Sequence, residues 1–134
     1  MHFKMYTDGG SRGNSSTSPA AIGYVIYDQS NRVIIKGSKY IGKATNNVAE
    51  YMGLYVGVLK LKELQCIKVD IYLDSELVVK QMQGKYKIKN QDLIKIQAKI
   101  ISSLVGIEWT ISWIPREKNS VADALVNQEL DRNH

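Results

Sequence analysis

At Asn46 the apolar residues stop recurring at every second position and begin recurring at every third or fourth, so strands must give way to helices there. Before that point, Phe3, Met5 and Thr7 alternate and read as a strand closing at Asp8. The segment GGSRGNSSTSP (9–19) is built of turn formers and reads as a functional loop. Ala20 to Tyr27 is an almost unbroken apolar run, as suits a strand covered on both faces. A polar turn (28–32) precedes a third strand, Val33 to Ile41, which Lys36 and Gly37 interrupt and place near a sheet edge. Together the three form an antiparallel meander.

After the switch, Asn46 or Asn47 serves as N-cap to a helix running to Lys62, with Tyr51, Leu54, Tyr55, Val58, Leu59 and Leu61 as its apolar face. Lys68 to Leu73 alternates again and ends at Asp74. Ser75 caps a short helix that Gly84 stops. Leu93, Ile96, Ile100 and Leu104 carry another helix. Ile107, Trp109, Ile111 and Trp113 make a fifth strand that Pro115 ends. A last helix starts near Ser120 with Val121, Ala122, Leu125 and Val126 inward. The order βββ-α-β-α-α-β-α describes an α/β fold with a mixed sheet, and 134 residues suit a single domain spanning 1–134.

Composition narrows the class. One cysteine, Cys66, excludes a disulfide framework and a cysteine-based zinc site, and reads as a core residue. No apolar run approaches the roughly 18 residues of a membrane span, and the first residues lack the pattern of a signal peptide. A soluble cytoplasmic protein is expected. The net charge is +5, and the stretch from Lys80 to Lys99, with six lysines and one acid, carries all of it. A basic balance gathered on one stretch suits either a solvated face or an anionic partner such as nucleic acid.

Strand directions give the acids meaning. Two hairpins followed by a helical crossover make the first and fourth strands parallel, so Asp8 and Asp74 end at the same sheet edge. If the two strands are neighbours, these acids lie side by side where open α/β sheets bind ligands. Glu50 shares a helical face with Leu54, Val58 and Leu61 and must point toward the sheet, an expensive place for a lone charge. Asp123 lies in the first turn of the last helix, where the helix dipole alone would favour it. If the four converge, cations must offset their repulsion, and an all-oxygen ligand set favours Mg²⁺ or Mn²⁺. Two such ions, about 3.5–4 Å apart, suit phosphodiester cleavage. Spacing alone does not establish the convergence.

Four blocks, TDGGSRGN (7–14), TNNVAEY (45–51), YLDSELVVKQMQGKYKIKN (72–90) and WIPREKNSVADAL (113–125), resemble type 1 ribonuclease H in order and spacing, over nearly the whole chain. The resemblance is to the archaeal-type members that lack the long basic protrusion of many bacterial enzymes. It implies a ribonuclease H-like fold, a five-stranded mixed sheet of order 3-2-1-4-5 flanked by helices. It also implies hydrolysis of the RNA strand of an RNA/DNA hybrid, giving 5′-phosphate and 3′-hydroxyl ends with two Mg²⁺ or Mn²⁺ ions. The metal-binding acids would be Asp8, Glu50, Asp74 and Asp123, with Asp8 bridging. Gly9, Gly10, Ser11, Arg12, Gly13 and Asn14, together with Asn46 and Asn47, would read the minor groove, where the 2′-hydroxyl distinguishes RNA. Thr45 would contact a phosphate, and Lys85, Lys87 and Lys89 would track the backbone without reading sequence. A monomer is expected, and activity on double-stranded RNA stays open.

The match departs from the family in two places. The loop after the fifth strand carries Arg116 where many members have a mobile histidine, and the only histidines are His2 and His134. Arginine stays protonated at neutral pH, so Arg116 suits an electrostatic contact to the reacting phosphate rather than a general base. Glu76 stands where several relatives have glutamine; it would repel phosphate or take another partner. Trp109 and Trp113 read as core. A non-catalytic hybrid- or RNA-binding domain of the same fold is the alternative, and metal-dependent cleavage separates the two. A nucleotide-binding phosphate loop at 8–14 fits poorly, since neither glycine pattern matches and a strand follows it.

Overall fold

Backbone pairing assembles the chain into one five-stranded sheet, seen in a computed structural model that describes residues 1–133; His134 lies outside the described residues. The strands are β1 (His2–Ser11), β2 (Pro19–Tyr27), β3 (Val33–Lys43), β4 (Lys68–Leu73) and β5 (Glu108–Trp113), and their order across the sheet is β3-β2-β1-β4-β5. β1 pairs antiparallel with β2 and parallel with β4, so the adjacency on which the two aspartates depend is present. The helices are α1 (Asn46–Glu63), α2 (Glu76–Met82), α3 (Gln91–Ser103) and α4 (Ser120–Arg132), with a single 3-10 turn at Arg116–Lys118. Among the described residues no helix is long and apolar enough to cross a membrane.

The largest core lies between the sheet and α1, α2 and α3. Phe3 and Met5 of β1, Ile71 and Leu73 of β4, and Leu54, Val58 and Leu61 of α1 are all at most 1% exposed. Cys66 belongs to this core. α4 covers the opposite face, packing Val126 and Leu130 against Ala21 of β2. With α1 on one side and α4 on the other, β2 is buried from Ala20 to Ile26, which explains its unbroken apolar run. β3 pairs only with β2 and is the exposed edge, carrying Val33 and Ile34 outward.

Several boundaries correct the sequence reading. β1 does not stop at Asp8: Gly9, Gly10 and Ser11 stay paired to Ile22, Ala21 and Ala20. The loop therefore occupies only 12–18, and pairing to an already buried strand overrides the turn preference of two glycines. β3 likewise runs to Lys43 and β5 begins at Glu108. The N-cap of α1 is Thr45, whose Oγ1 accepts from the Val48 amide at 3.3 Å, rather than Asn46 or Asn47. Trp113 is 48% exposed because it sits at the end of β5 beyond the helices, and Val121 points outward at 40%. Trp109 packs partly buried on the core as expected.

Candidate active site

Three elements bring three carboxylates together at the C-terminal edge of β1 and β4. Asp8 projects from β1, Asp74 follows β4, and Glu50 lies in the second turn of α1. One oxygen from each lies within 4.8 Å of the others. Backbone contact between α1 and β1 fixes this spacing. A Cβ on Gly9 would stand 2.1 Å from the Ala49 carbonyl oxygen, and one on Gly53 would stand 2.6 Å from that of Asp8. Helix and strand touch main chain to main chain there, which only glycine permits.

Such crowding is electrostatically expensive. Burial, together with the neighbouring Asp74 charge, pushes the Asp8 carboxyl up to about 7, although the Glu50 hydrogen bond opposes the rise. Burial and the Asp8 charge push Glu50 well above the usual range. Asp74 is raised as well, chiefly by burial, with the Asn119 amide acting against it. The Gly9 amide donates to Asp8 Oδ1 at 2.9 Å and reaches Glu50 Oε1 at 3.4 Å. Glu50 Oε2 is buried with no hydrogen-bond partner among the described residues. An orphaned carboxylate oxygen beside two other carboxylates is a poor arrangement for a protein alone and a good one for a hard cation.

Asp123 stands apart from this trio. It lines the same cleft, of about 370 Å³, but its carboxylate faces Arg116, 3.3 Å away, and Asn127. The cleft also admits Arg12, Asn46 and Asn47. Arg116 follows Pro115 at the start of the 3-10 turn, largely exposed, and offers its guanidinium to the site from the side of α4. Of the acids expected to converge, the structure unites three and holds the fourth alongside.

The glycine-rich segment is tied to the start of α1. Asn46 Oδ1 accepts from the Ser11 amide at 2.7 Å, while the Asn46 amide donates to Asn14 Oδ1 at 3.0 Å. With its oxygen engaged and the residue exposed, Asn46 has its NH₂ group left to donate. Asn47 is exposed at the cleft, Gly9 and Gly10 form its floor, and Gly13 adopts φ 122° in the loop beyond. Arg12 is held by Asp131 of α4 at 2.6 Å. Thr45, occupied as a cap acceptor, keeps its hydroxyl proton free to donate.

Lys85, Lys87 and Lys89 do not line the cleft. They are exposed on the connector between α2 and α3. Gln81 holds that connector: it accepts from the Tyr51 hydroxyl at 2.7 Å and donates to the Lys87 carbonyl at 3.4 Å. Glu76 does take another partner, Lys80, at 2.9 Å. Sequence reasoning missed two polar residues here, Gln81 and Asn119, both buried. The sole signal for Gln81 was a polar side chain beside Val78 and Val79 on a short helix; Asn119 reads as an ordinary helix cap.

Known proteins resemble this chain in sequence and fold. A reverse transcriptase-like family model matches residues 7–129. The bifunctional protein Rv2228c of Mycobacterium tuberculosis is 41% identical over 98% of this chain, which spans 36% of that relative's length. The crystal structure of RNase H1 from the archaeon Halobacterium salinarum superposes with a TM-score of 0.94 at 34% identity, covering 98% of this chain and 99% of that one. LC11-RNase H1, solved in complex with an RNA/DNA hybrid, superposes with a TM-score of 0.92 at 41% identity, covering 98% of each chain. With a family model matched over residues 7–129 and two RNase H1 structures superposing over nearly its full length at 34% and 41% identity, this chain belongs to the type 1 ribonuclease H family.

Proposed function

We propose that residues 1–134 act as a single, monomeric ribonuclease H domain that hydrolyses the RNA strand of an RNA/DNA hybrid, leaving 5′-phosphate and 3′-hydroxyl ends. The observation that carries this reading is the close trio Asp8, Glu50 and Asp74, with one Glu50 oxygen buried and lacking a partner. Its all-oxygen donors fit two Mg²⁺ or Mn²⁺ ions, held by Asp8, Glu50 and Asp74 with Asp123 completing the set. Divalent ions held there supply Lewis acidity and positive charge at the scissile phosphate. The solved complex of LC11-RNase H1 with a hybrid supports the substrate class.

The surrounding residues suit a duplex laid across this edge. Asn46 offers its NH₂ donors to groove acceptors, with Asn47 and the segment from Gly9 to Arg12 lining the same cleft and Gly13 and Asn14 completing the loop. Thr45 donates to a phosphate. Arg116, cationic throughout, exchanges its Asp123 partner for a phosphate oxygen at the reacting centre. Lys85, Lys87 and Lys89 hold the backbone further along, adding salt-sensitive affinity.

The test is cleavage of an end-labelled RNA/DNA hybrid with Mg²⁺, Mn²⁺ or EDTA, run beside Asp74→Asn and with single- and double-stranded RNA controls. Metal-dependent cutting of the hybrid's RNA strand, lost in the variant, is expected. Binding without cutting under either metal would leave the non-catalytic hybrid-binding domain as the better reading.

A further inference from the structure

Asn119 immediately precedes α4, in a position where its side chain would normally cap the helix, yet it makes no capping bond. Its side chain turns into the molecule instead, and the residue is 1% exposed. Nδ2 donates to the Thr7 carbonyl at 2.9 Å and to Asp74 Oδ2 at 3.2 Å. Both partners are pure acceptors, so the amide can be oriented in only one way. Oδ1 is then buried with no partner among the described residues. Through its carbonyl Asn119 also accepts the Asp123 amide at 3.0 Å. One residue thus touches the strand end that carries Asp8, the carboxylate of Asp74 and the first turn that carries Asp123.

An apolar side chain of similar size would bury no unpartnered amide oxygen here, and a side chain turned to cap the helix would stabilise α4. The fold forgoes both, and what it gains is a donor on Asp74. From this we infer that Asn119 is a positioning residue for Asp74, holding one carboxylate oxygen so that the other stays turned toward Asp8 and Glu50 against their repulsion. This rests on the reading of the trio as a divalent-ion site. The family-typical ligands are the acids; the amide behind them sets the aim of one.

The experiment is a Mg²⁺ titration of the whole protein, without nucleic acid, followed by the amide NMR signals of Gly9 and Ser75. The samples are wild type, Asp74→Asn, Asn119→Leu, Asn119→Ala and, as a control for stability alone, Ile100→Ala. Both Asn119 variants should need about tenfold more Mg²⁺ for half-saturation, the usual range for groups that orient ligands. The metal-free melting temperature of Asn119→Leu should change little, because the variant removes the Oδ1 orphan while creating one at Thr7. Asn119→Ala, which cannot clash, guards against a misfit leucine. Ile100→Ala should melt earlier and bind Mg²⁺ as wild type does. In hybrid cleavage the Asn119 variants should lose kcat at low Mg²⁺, recover it at high Mg²⁺ and keep their KM. Unchanged half-saturation in both Asn119 variants, with Asp74→Asn weakened, would overturn the inference and leave the ion site standing. No Mg²⁺ response in wild type, or an unaffected Asp74→Asn, would overturn the ion site and the inference with it.

Discussion

The acidic edge and the basic connector carry opposite charge and are built on opposite principles. At the edge, three carboxylates from three elements lie within 4.8 Å of one another, Asp8 and Glu50 buried and Asp74 half-buried, and the backbone contact of α1 with β1 leaves Asp8 and Glu50 no room to separate. On the connector, Lys85, Lys87 and Lys89 sit in water on a segment held by its backbone, through Gln81 at Lys87 and through Asn90, which caps α3. The first arrangement costs stability and fixes position to a fraction of a side chain. The second costs almost nothing and fixes only a neighbourhood. Chemistry at one phosphate requires the former, and tracking a run of phosphates requires only the latter.

The sharpest way to break the edge is through its backbone. Gly9→Ala drives a methyl into the Ala49 carbonyl and should cost at least about 4 kcal/mol. Thermal unfolding checks this, and a midpoint within about 2 °C of wild type would mean the helix can simply shift. Next in size is Glu50→Gln, which removes one of two buried carboxyls that oppose each other's ionisation and leaves Asp8 a neutral neighbour at every pH. Hydrolysis should fall at least about a hundredfold, ~2.7 kcal/mol, while the metal-free protein gains about 1–3 kcal/mol in denaturant titration. Equal loss of activity and stability would show that the edge is not under electrostatic load.

The same load predicts a pH profile. Asp8 is about 7 in the folded chain against 3.8 as an ordinary side chain, so the folded state binds the extra proton. Stability from this group is complete below about pH 4 and is lost as pH rises toward 7. In EDTA the melting temperature should therefore fall across that window, and Mg²⁺ should raise it more at pH 8 than at pH 5.5. A flat profile would place the protons elsewhere. The smallest effect belongs to the connector. Replacing Lys85, Lys87 and Lys89 together by alanine should flatten the slope of log affinity against log salt by up to about 3 and leave melting within about 0.5 kcal/mol of wild type. An unaltered slope would move the phosphate contacts to other residues.

These two regions were unequally legible in the sequence. Glu50 betrayed itself because a charge on an apolar helical face needs a reason, and strand direction brought Asp8 and Asp74 to one edge. The connector was legible from charge alone. Local chemistry placed the cap at Asn46 or Asn47, and the structure places it one residue earlier at Thr45, because threonine and asparagine both cap well and residue type alone does not rank neighbours. It could not extend β1 through Gly9 and Gly10, because the pairing that keeps them extended comes from β2, at the far side of a loop. Alternation put Trp113 on the same face as Ile111, correctly, but not how far the covering helices reach along it. Asp123 was expected among the other acids and stands beside them with Arg116, a matter of α4's placement across the sheet.

Where α1 rests on β1 at Gly9 and Gly53, the distance between Glu50 and Asp8 is a property of the main chain. The apolar residues beneath can then change size and shape, one for another, without moving the two acids apart. An acidic pair anchored in this way is insulated from changes in its own core. Its geometry depends on two small positions staying empty.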